Sequence, residues 1–363
     1  VKVLIIDNLF QPNLKNKLAN GAQKFTRNQK NLLSNEYDTY YITAAGSNLQ
    51  YKNQFILENF FDISLPRNEK IEQTKRTSQE IIKIINQVQP DIVLDSSCKH
   101  LVTCWNHYPV GIVFEHYHKS SMILDKTVTD KFNKKSIFWC GVSKHQAKAF
   151  NNYFHDTICI HYIDELPNEI KPAKRYGVFV GRWDAGKYPH VALKNYLKSG
   201  CNYPIECFIK YGGTEIATDQ FNKLVDSGLM NFHIDAPRET ILNGISEAAF
   251  GLGMGNESTG IVSLEYATRG IPYIVPGNKS VAEAEHLPPE ALFLCDRSLE
   301  ESIPSQIKKH VDYCISLPYD YRVHLSKTVI NTYDASRFID DHKRIIKQAS
   351  EKFNNGSLEC FMI

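Results

Sequence analysis

The sequence predicts an α/β protein of two doubly wound domains, each a parallel sheet with helices on both faces. Three observations lead there. The 363 residues exceed what one hydrophobic core organises, so two domains of roughly 150 to 200 residues are expected. Short β-branched or apolar runs alternate with amphipathic helical stretches along most of the chain, the pattern of strands covered by crossover helices. The charged, proline-bearing stretch DELPNEIKPAKR (164–175) follows neither period and divides that alternation in two, as a linker would.

In chain order, the first half supplies strands VKVLII (1–6), DTYYIT (38–43), DIVL (91–94), VGIVF (110–114), SIFWC (136–140) and TICIH (157–161). Residues 44–75 are polar and irregular and read as an insertion. The second half supplies YGVFV (176–180), IECFIK (205–210), MNFHI (230–234), FGLGM (250–254), IPYIV (271–275) and ALFL (291–294). From about Ser326 the positions Val329, Tyr333, Phe338, Ile345 and Ile346 keep helical spacing. The expected organisation is therefore 1–165 and 166–325 as Rossmann-like domains, with 326–363 a helical stretch crossing back to the first.

Composition agrees with a soluble globular chain, 42% hydrophobic and 23% charged. No apolar run approaches the roughly 18 residues of a membrane span, and VKVLIIDNLFQ reads as a buried strand rather than a secretory leader. The nine cysteines are scattered, odd in number and form no Cys-x-x-Cys pair, so reduced, packed thiols in a cytoplasm are expected. Net charge is only +2, but residues 118–148 carry seven lysines against two aspartates, a local excess of +5. A solvated surface and a nucleic-acid track both account for such a run.

Chemistry concentrates in the second half. In GNESTGIVSLEYATRGIPYIVPG (255–277), Glu257 and Glu265 flank a small-residue turn and an apolar run. Asn256 to Gly260 follow a strand and precede Ile261, Val262, Leu264 and Ala267, so the turn should open a helix, whose free N–H groups suit an anion. Glu257 would lie beside that anion, and Glu265, two turns along, would reach a group further off. A capping turn and a solvated helix face account for the same residues. In VFVGRWDAGKYP (178–189) a strand runs into Gly181-Arg182, with Lys187 five residues on, so that two cations converge on phosphate at the carboxyl edge of the sheet. FIKYGGTE (208–215) ends in Gly212-Gly213, and HIDAPRETI (233–241) follows.

Taken in this order, the glutamate pair, the Gly-Arg…Lys step and the strand-Gly-Gly turn resemble the donor domain of retaining GT-B glycosyltransferases over about 165 to 285. The resemblance implies that Glu257 contacts the transferred sugar, Glu265 holds the nucleotide ribose, Arg182 and Lys187 neutralise the diphosphate, and Gly181, Gly212, Gly213, Ser258, Thr259 and Gly260 line the nucleotide site. GAQKFTRNQKNLL, from Gly21, is similar in its Gly-x-x-Lys-Phe-x-x-x-Gln pattern to the DNA α-glucosyltransferases of T-even bacteriophages. It stands where such enzymes have a glycine-containing loop opening the first helix, which implies that Gly21 also lines the nucleotide-sugar site. IVFEHYHKS (112–120) is similar to their His-x-His segment, which gives His116 a position at the donor sugar, although an interior histidine satisfied by backbone is the alternative. Tyr117 stands where those enzymes have an aspartate, so no general-base role carries over.

The resemblance implies two Rossmann-like domains of GT-B type, the first binding acceptor and the second UDP-glucose or UDP-arabinose, with retention of anomeric configuration. It implies a monomeric, phage-encoded enzyme of the bacterial host cytoplasm that glycosylates 5-hydroxymethylcytosine in double-stranded DNA. Lys24, Arg27 and Lys30 on the first helix, and His118, Lys119, Lys131, Lys134 and Lys135, are the candidate DNA contacts. No Asp-x-Asp motif accompanies the site, so no metal is expected. An envelope or capsule polysaccharide glycosyltransferase, and a nucleotide-sugar or DNA-binding protein without turnover, are the alternatives.

Overall fold

The computed structural model describes residues 1–7, 21–47, 49–58, 67–95, 111–114, 137–140, 162–183, 189–211, 218–253, 261–276, 287–296, 298–299 and 301–359. The chain divides into two compact units, one of Val1–Tyr162 with Ala335–Ile363, the other of Ile163–Asp334.

The first unit is built on six parallel strands: β1 (Lys2–Ile6), β2 (Asp38–Ala44), β3 (Gln54–Leu57), β4 (Ile92–Asp95), β5 (Gly111–Phe114) and β6 (Ile137–Trp139). Their order is β3-β2-β1-β4-β5-β6. Val3, Leu4, Ile5 and Ile6 of β1 are all buried, because a central parallel strand is covered on both faces and needs an unbroken apolar run. Helix α1 (Gly21–Leu33) follows β1, and α2 (Arg67–Val88) leads to β4. The long helix α9 (Ala335–Glu359) packs on α1, β5 and β6. Its Phe338, Ile345, Ile346 and Ala349 join Val3, Ile5, Phe25 and Leu33 in one core.

The second unit repeats the plan with β7 (Gly177–Trp183), β8 (Ile205–Tyr211), β9 (Met230–Ile234), β10 (Phe250–Leu252), β11 (Tyr273–Pro276) and β12 (Leu292–Cys295), in the order β12-β11-β10-β7-β8-β9. Its helices are α3 (Pro189–Lys198), α4 (Thr218–Val225), α5 (Arg238–Glu247), α6 (Ile261–Ala267), α7 (Ile303–Ser316) and α8 (Tyr319–Thr332). Each sheet grows outward from its first strand in one direction, then returns to add its fourth strand on the other side. That reversal, at β1/β4 and again at β7/β10, is the doubly wound plan.

Two expectations differ from the structure. Residues 44–75, read as irregular, contain β3, which pairs in parallel with β2 through Tyr41–Ala44, and the first turns of α2. β3 escapes notice because an edge strand of four residues buries little beyond Leu57. The polar residues around it serve the fold: the Gln54 carboxamide accepts from the Tyr51 N–H, and Asn53 donates to the Thr39 carbonyl. The helical stretch from Ser326 is two helices, broken at Tyr333 and Asp334 between α8 and α9. The strand expected at 157–161 lies outside the described residues.

Cys140, Cys201, Cys207, Cys295 and Cys314 are buried free thiols, and burial pushes the last four up from the ordinary thiol range. Among the described residues no helix is long and apolar enough to cross a membrane.

Candidate active site

In a doubly wound sheet the ligand crevice opens beyond the carboxyl ends of the two strands where the order reverses. In the second unit those are β7 and β10. β7 ends in Gly181, Arg182 and Trp183, with Arg182 in register with Lys210 of β8. Trp183 is buried in edge-to-face contact with Phe221 and Phe232; this anchors the strand end and leaves the neighbouring Arg182 exposed. β10 ends at Leu252, followed by Gly253, whose missing side chain accommodates the Tyr273 hydroxyl. A Cβ there would come within 2.2 Å of that oxygen. Helix α6 then begins at Ile261.

Glu265 lies on α6 and is 3% exposed. Its carboxylate takes a two-point contact from Arg238, Nη1 donating to Oε2 at 3.2 Å and Nη2 donating to Oε1. The guanidinium is held from its other edge by Glu165, Nε donating to Oε2 at 2.8 Å and Nη2 donating to the same oxygen. Arg269, also on the α6 turn and buried, donates to the carbonyl of Glu265 at 3.2 Å and to the carbonyl of Glu165 at 2.9 Å. Two arginines and two glutamates thus form one network, buried at Glu265 and Arg269 and partly open to solvent at Arg238 and Glu165.

Burial alone would lower the Arg238 pKa, but the charges and hydrogen bonds of Glu265 and Glu165 outweigh it and raise it. Arg269 is pulled below its ordinary value by burial, with the Arg238 charge adding and the two glutamates opposing. The local fold explains how Arg238 arrives. β9 ends at Ile234, Asp235 turns the chain at φ 50°, a left-handed conformation that aspartate tolerates better than most residues, and Pro237 precedes Arg238 at the first position of α5.

Of the residues singled out in the sequence, the described part of this edge carries Gly181, Arg182 and Glu265. His116, His118, Lys119, Lys131, Lys134, Lys135, Lys187, Gly212, Gly213, Glu257, Ser258, Thr259 and Gly260 lie outside the described residues. The sequence does not point to Arg238, Glu165 or Arg269: Glu165 falls in the stretch that reads as a linker, and the one local signal for Arg238 is an arginine opening the helix after β9.

In the first unit Gly21 opens α1, and the face of that helix is spent internally. Lys24 and Lys30 are buried and Arg27 is half-buried. The Lys30 ammonium donates to the carbonyl of Thr39 at 3.0 Å and to its hydroxyl at 2.6 Å, and burial lowers its pKa against the opposing charge of Asp38. Lys30 therefore ties α1 to β2 instead of presenting a cation outward. At the β1/β4 reversal two aspartates are buried, Asp7 and Asp95. The hydroxyls of Thr26 and Thr43 donate to Asp7 at 2.5 and 3.3 Å. Among the described residues no group of His, Cys, Asp and Glu side chains is arranged to hold a metal ion.

No protein-family model matches the chain, and no curated protein matches it in sequence. Solved structures match nearly its whole length. TarM from S. aureus, solved with UDP, fondaparinux and α-GlcNAc-glycerol, superposes with a TM-score of 0.69 at 8% identity, over 95% of this chain and 99% of that one. A glycosyltransferase from Rickettsia africae gives 0.68 at 13% identity, over 96% and 98%. HepE from Anabaena, solved with UDP-glucose, gives 0.64 at 11% identity, over 98% and 99%. The chain has the GT-B fold. At these identities the likeness is one of fold.

Proposed function

We propose that this protein is a retaining glycosyltransferase that moves a sugar, glucose or a pentose such as arabinose, from a UDP-sugar to 5-hydroxymethylcytosine in DNA. The observation that carries the donor half is an exposed Arg182 at the carboxyl end of β7 together with, on the helix after β10, a buried Glu265 held by Arg238. A cation for a diphosphate and a carboxylate for a ribose, on either side of a doubly wound reversal, suit a nucleotide. The structural relatives solved with UDP and with UDP-glucose support the same class of donor.

In this reading Arg182, with Lys187, stabilises the charge that gathers on the departing diphosphate as the bond from the anomeric carbon to phosphate oxygen breaks. The acceptor oxygen bonds to the anomeric carbon from the same face, and its proton passes to an oxygen of the leaving phosphate. Glu257 and His116 contact the transferred sugar. The diphosphate is neutralised by these side chains, so turnover persists in a chelator.

The acceptor half rests on the resemblance of GAQKFTRNQ (21–29) and IVFEHYHKS (112–120) to phage DNA glucosyltransferases and on the lysines of 119–148. Reaching the base requires extruding it at a cost of a few kcal/mol, offset by phosphate contacts. A carbohydrate acceptor is the second reading, favoured by one observation: burial of Lys24 and Lys30 removes most of the basic face that α1 would offer a duplex. One experiment separates them. UDP release is measured from UDP-glucose and UDP-arabinose with hydroxymethylated DNA, unmodified DNA or a saccharide acceptor, in buffer with chelator. Release only with hydroxymethylated DNA is expected. Release only with the saccharide would replace the acceptor, and binding without turnover would remove the enzyme reading.

A further inference from the structure

We propose that Arg238 is a positioning residue, holding the Glu265 carboxylate in one orientation for the two hydroxyls of a nucleotide ribose, while Glu165 braces the arginine from behind. The inference rests on the nucleotide reading of this unit and adds to it the residues that make Glu265 specific.

The geometry argues for orientation more than for cohesion. A single ion-pair contact would leave the Glu265 carboxylate free to rotate, whereas contact of both its oxygens with Nη1 and Nη2 of one guanidinium fixes its plane. The guanidinium is fixed in turn, because Nε and Nη2 also donate to Glu165. Arg269 then ties the main-chain carbonyls of both glutamates together. Side chains and backbone are both constrained, which is the support a recognition group needs to keep its aim.

Cohesion alone explains the network poorly. A buried ion pair gains little over well-packed apolar side chains of equal volume, and a Glu265 that is 3% exposed carries a full desolvation cost. The cost falls on the helix that follows β10, one of the two strands at whose reversal doubly wound sheets take nucleotides. A carboxylate accepts up to about four hydrogen bonds, so a guanidinium and a vicinal diol can share one.

Lysine is the informative substitute at 238. It keeps the charge and has three donors, but its single nitrogen cannot span both oxygens of Glu265 while holding Glu165. Binding of UDP and of 2′-deoxyuridine diphosphate is measured by titration calorimetry for the natural protein, Arg238→Lys and Glu165→Gln, with thermal melting to establish folding. The natural protein is expected to prefer UDP by roughly tenfold or more, the size of a hydrogen bond to a charged group. Arg238→Lys should lower that preference below about threefold, mainly by weakening UDP, and Glu165→Gln should lower it less, in the same direction. A folded Arg238→Lys that keeps the full preference overturns the proposal and leaves the nucleotide reading intact; so does a natural protein that binds both ligands equally. No binding of either ligand by the natural protein overturns the nucleotide reading and this inference with it. Should Arg238→Lys fail to fold, Glu165→Gln decides: a reduced preference supports the proposal, an unchanged one overturns it.

Discussion

His342 makes the first unit sensitive to acid over a defined range. It lies on α9, fully buried, with its ring 4.3 Å from that of Phe338 and 5.7 Å from that of Phe25. Nδ1 donates to the Phe338 carbonyl at 2.8 Å, so Nε2, 2.9 Å from the Gln29 amide nitrogen on α1, is the acceptor of a neutral imidazole. Burial, only partly opposed by the Phe338 carbonyl, pulls its pKa down to about 4. In the unfolded chain the same side chain takes a proton near 6.5. Between these values the unfolded state binds a proton that the folded state refuses, so stability is complete above about 6.5 and is lost as pH falls towards 4. The gap from 6.5 to about 4 corresponds to about 3 kcal/mol. His342→Phe keeps an aromatic ring and removes the proton; the buried Gln29 amide loses its acceptor, at a cost that does not vary with pH. Amide hydrogen exchange on α1 and α9, corrected for the intrinsic pH dependence, is compared between the two proteins from pH 7.5 to 4.5. Carboxylates shared by both cancel in the difference. The natural protein should lose about 2.5 kcal/mol more protection than the variant across that range, the rest of the gap falling below pH 4.5, and parallel curves would refute the assignment.

Gly270 follows α6 at φ 69°, and a Cβ there would lie 2.3 Å from the Arg322 carbonyl oxygen. Gly270→Ala should cost about 2 to 4 kcal/mol in urea denaturation, whereas Gly228→Ala, at φ 68° with open space around it, should cost about 1 kcal/mol. Within the glutamate pair, Glu265→Ala should chiefly weaken UDP binding, while Glu257→Ala should depress sugar transfer more than UDP affinity; equal effects on both quantities would leave the pair a structural feature. Arg182→Ala should lower donor affinity roughly tenfold to a hundredfold through one charge-assisted contact, read by calorimetry against a folded control. Reversing Lys131, Lys134 and Lys135 to Glu should weaken binding to hydroxymethylated DNA and flatten its salt dependence, and an unchanged slope would clear that patch of a role.

The sequence by itself determined the layers. Parallel strands covered on both faces must be short continuous apolar runs, which is why β1, β2 and the strands from β7 to β12 sit within a few residues of their expected places. It also determined the Gly181-Arg182 step, because a strand end and the residue beside it are neighbours in the chain. What has no period left no trace: β3 is an edge strand of four residues, and the helical spacing of α8 runs into α9 across the break at Tyr333 and Asp334. Tertiary structure alone decided the rest of the site. Arg238 stands 27 residues from Glu265 and 73 from Glu165, and only the order β10-β7-β8-β9 brings the start of α5, the entering segment and α6 together. It likewise turned Lys30 inward, onto Thr39. Local patterns record which faces must leave water. Which charges then meet depends on strand order, and strand order is a property of the packed sheet.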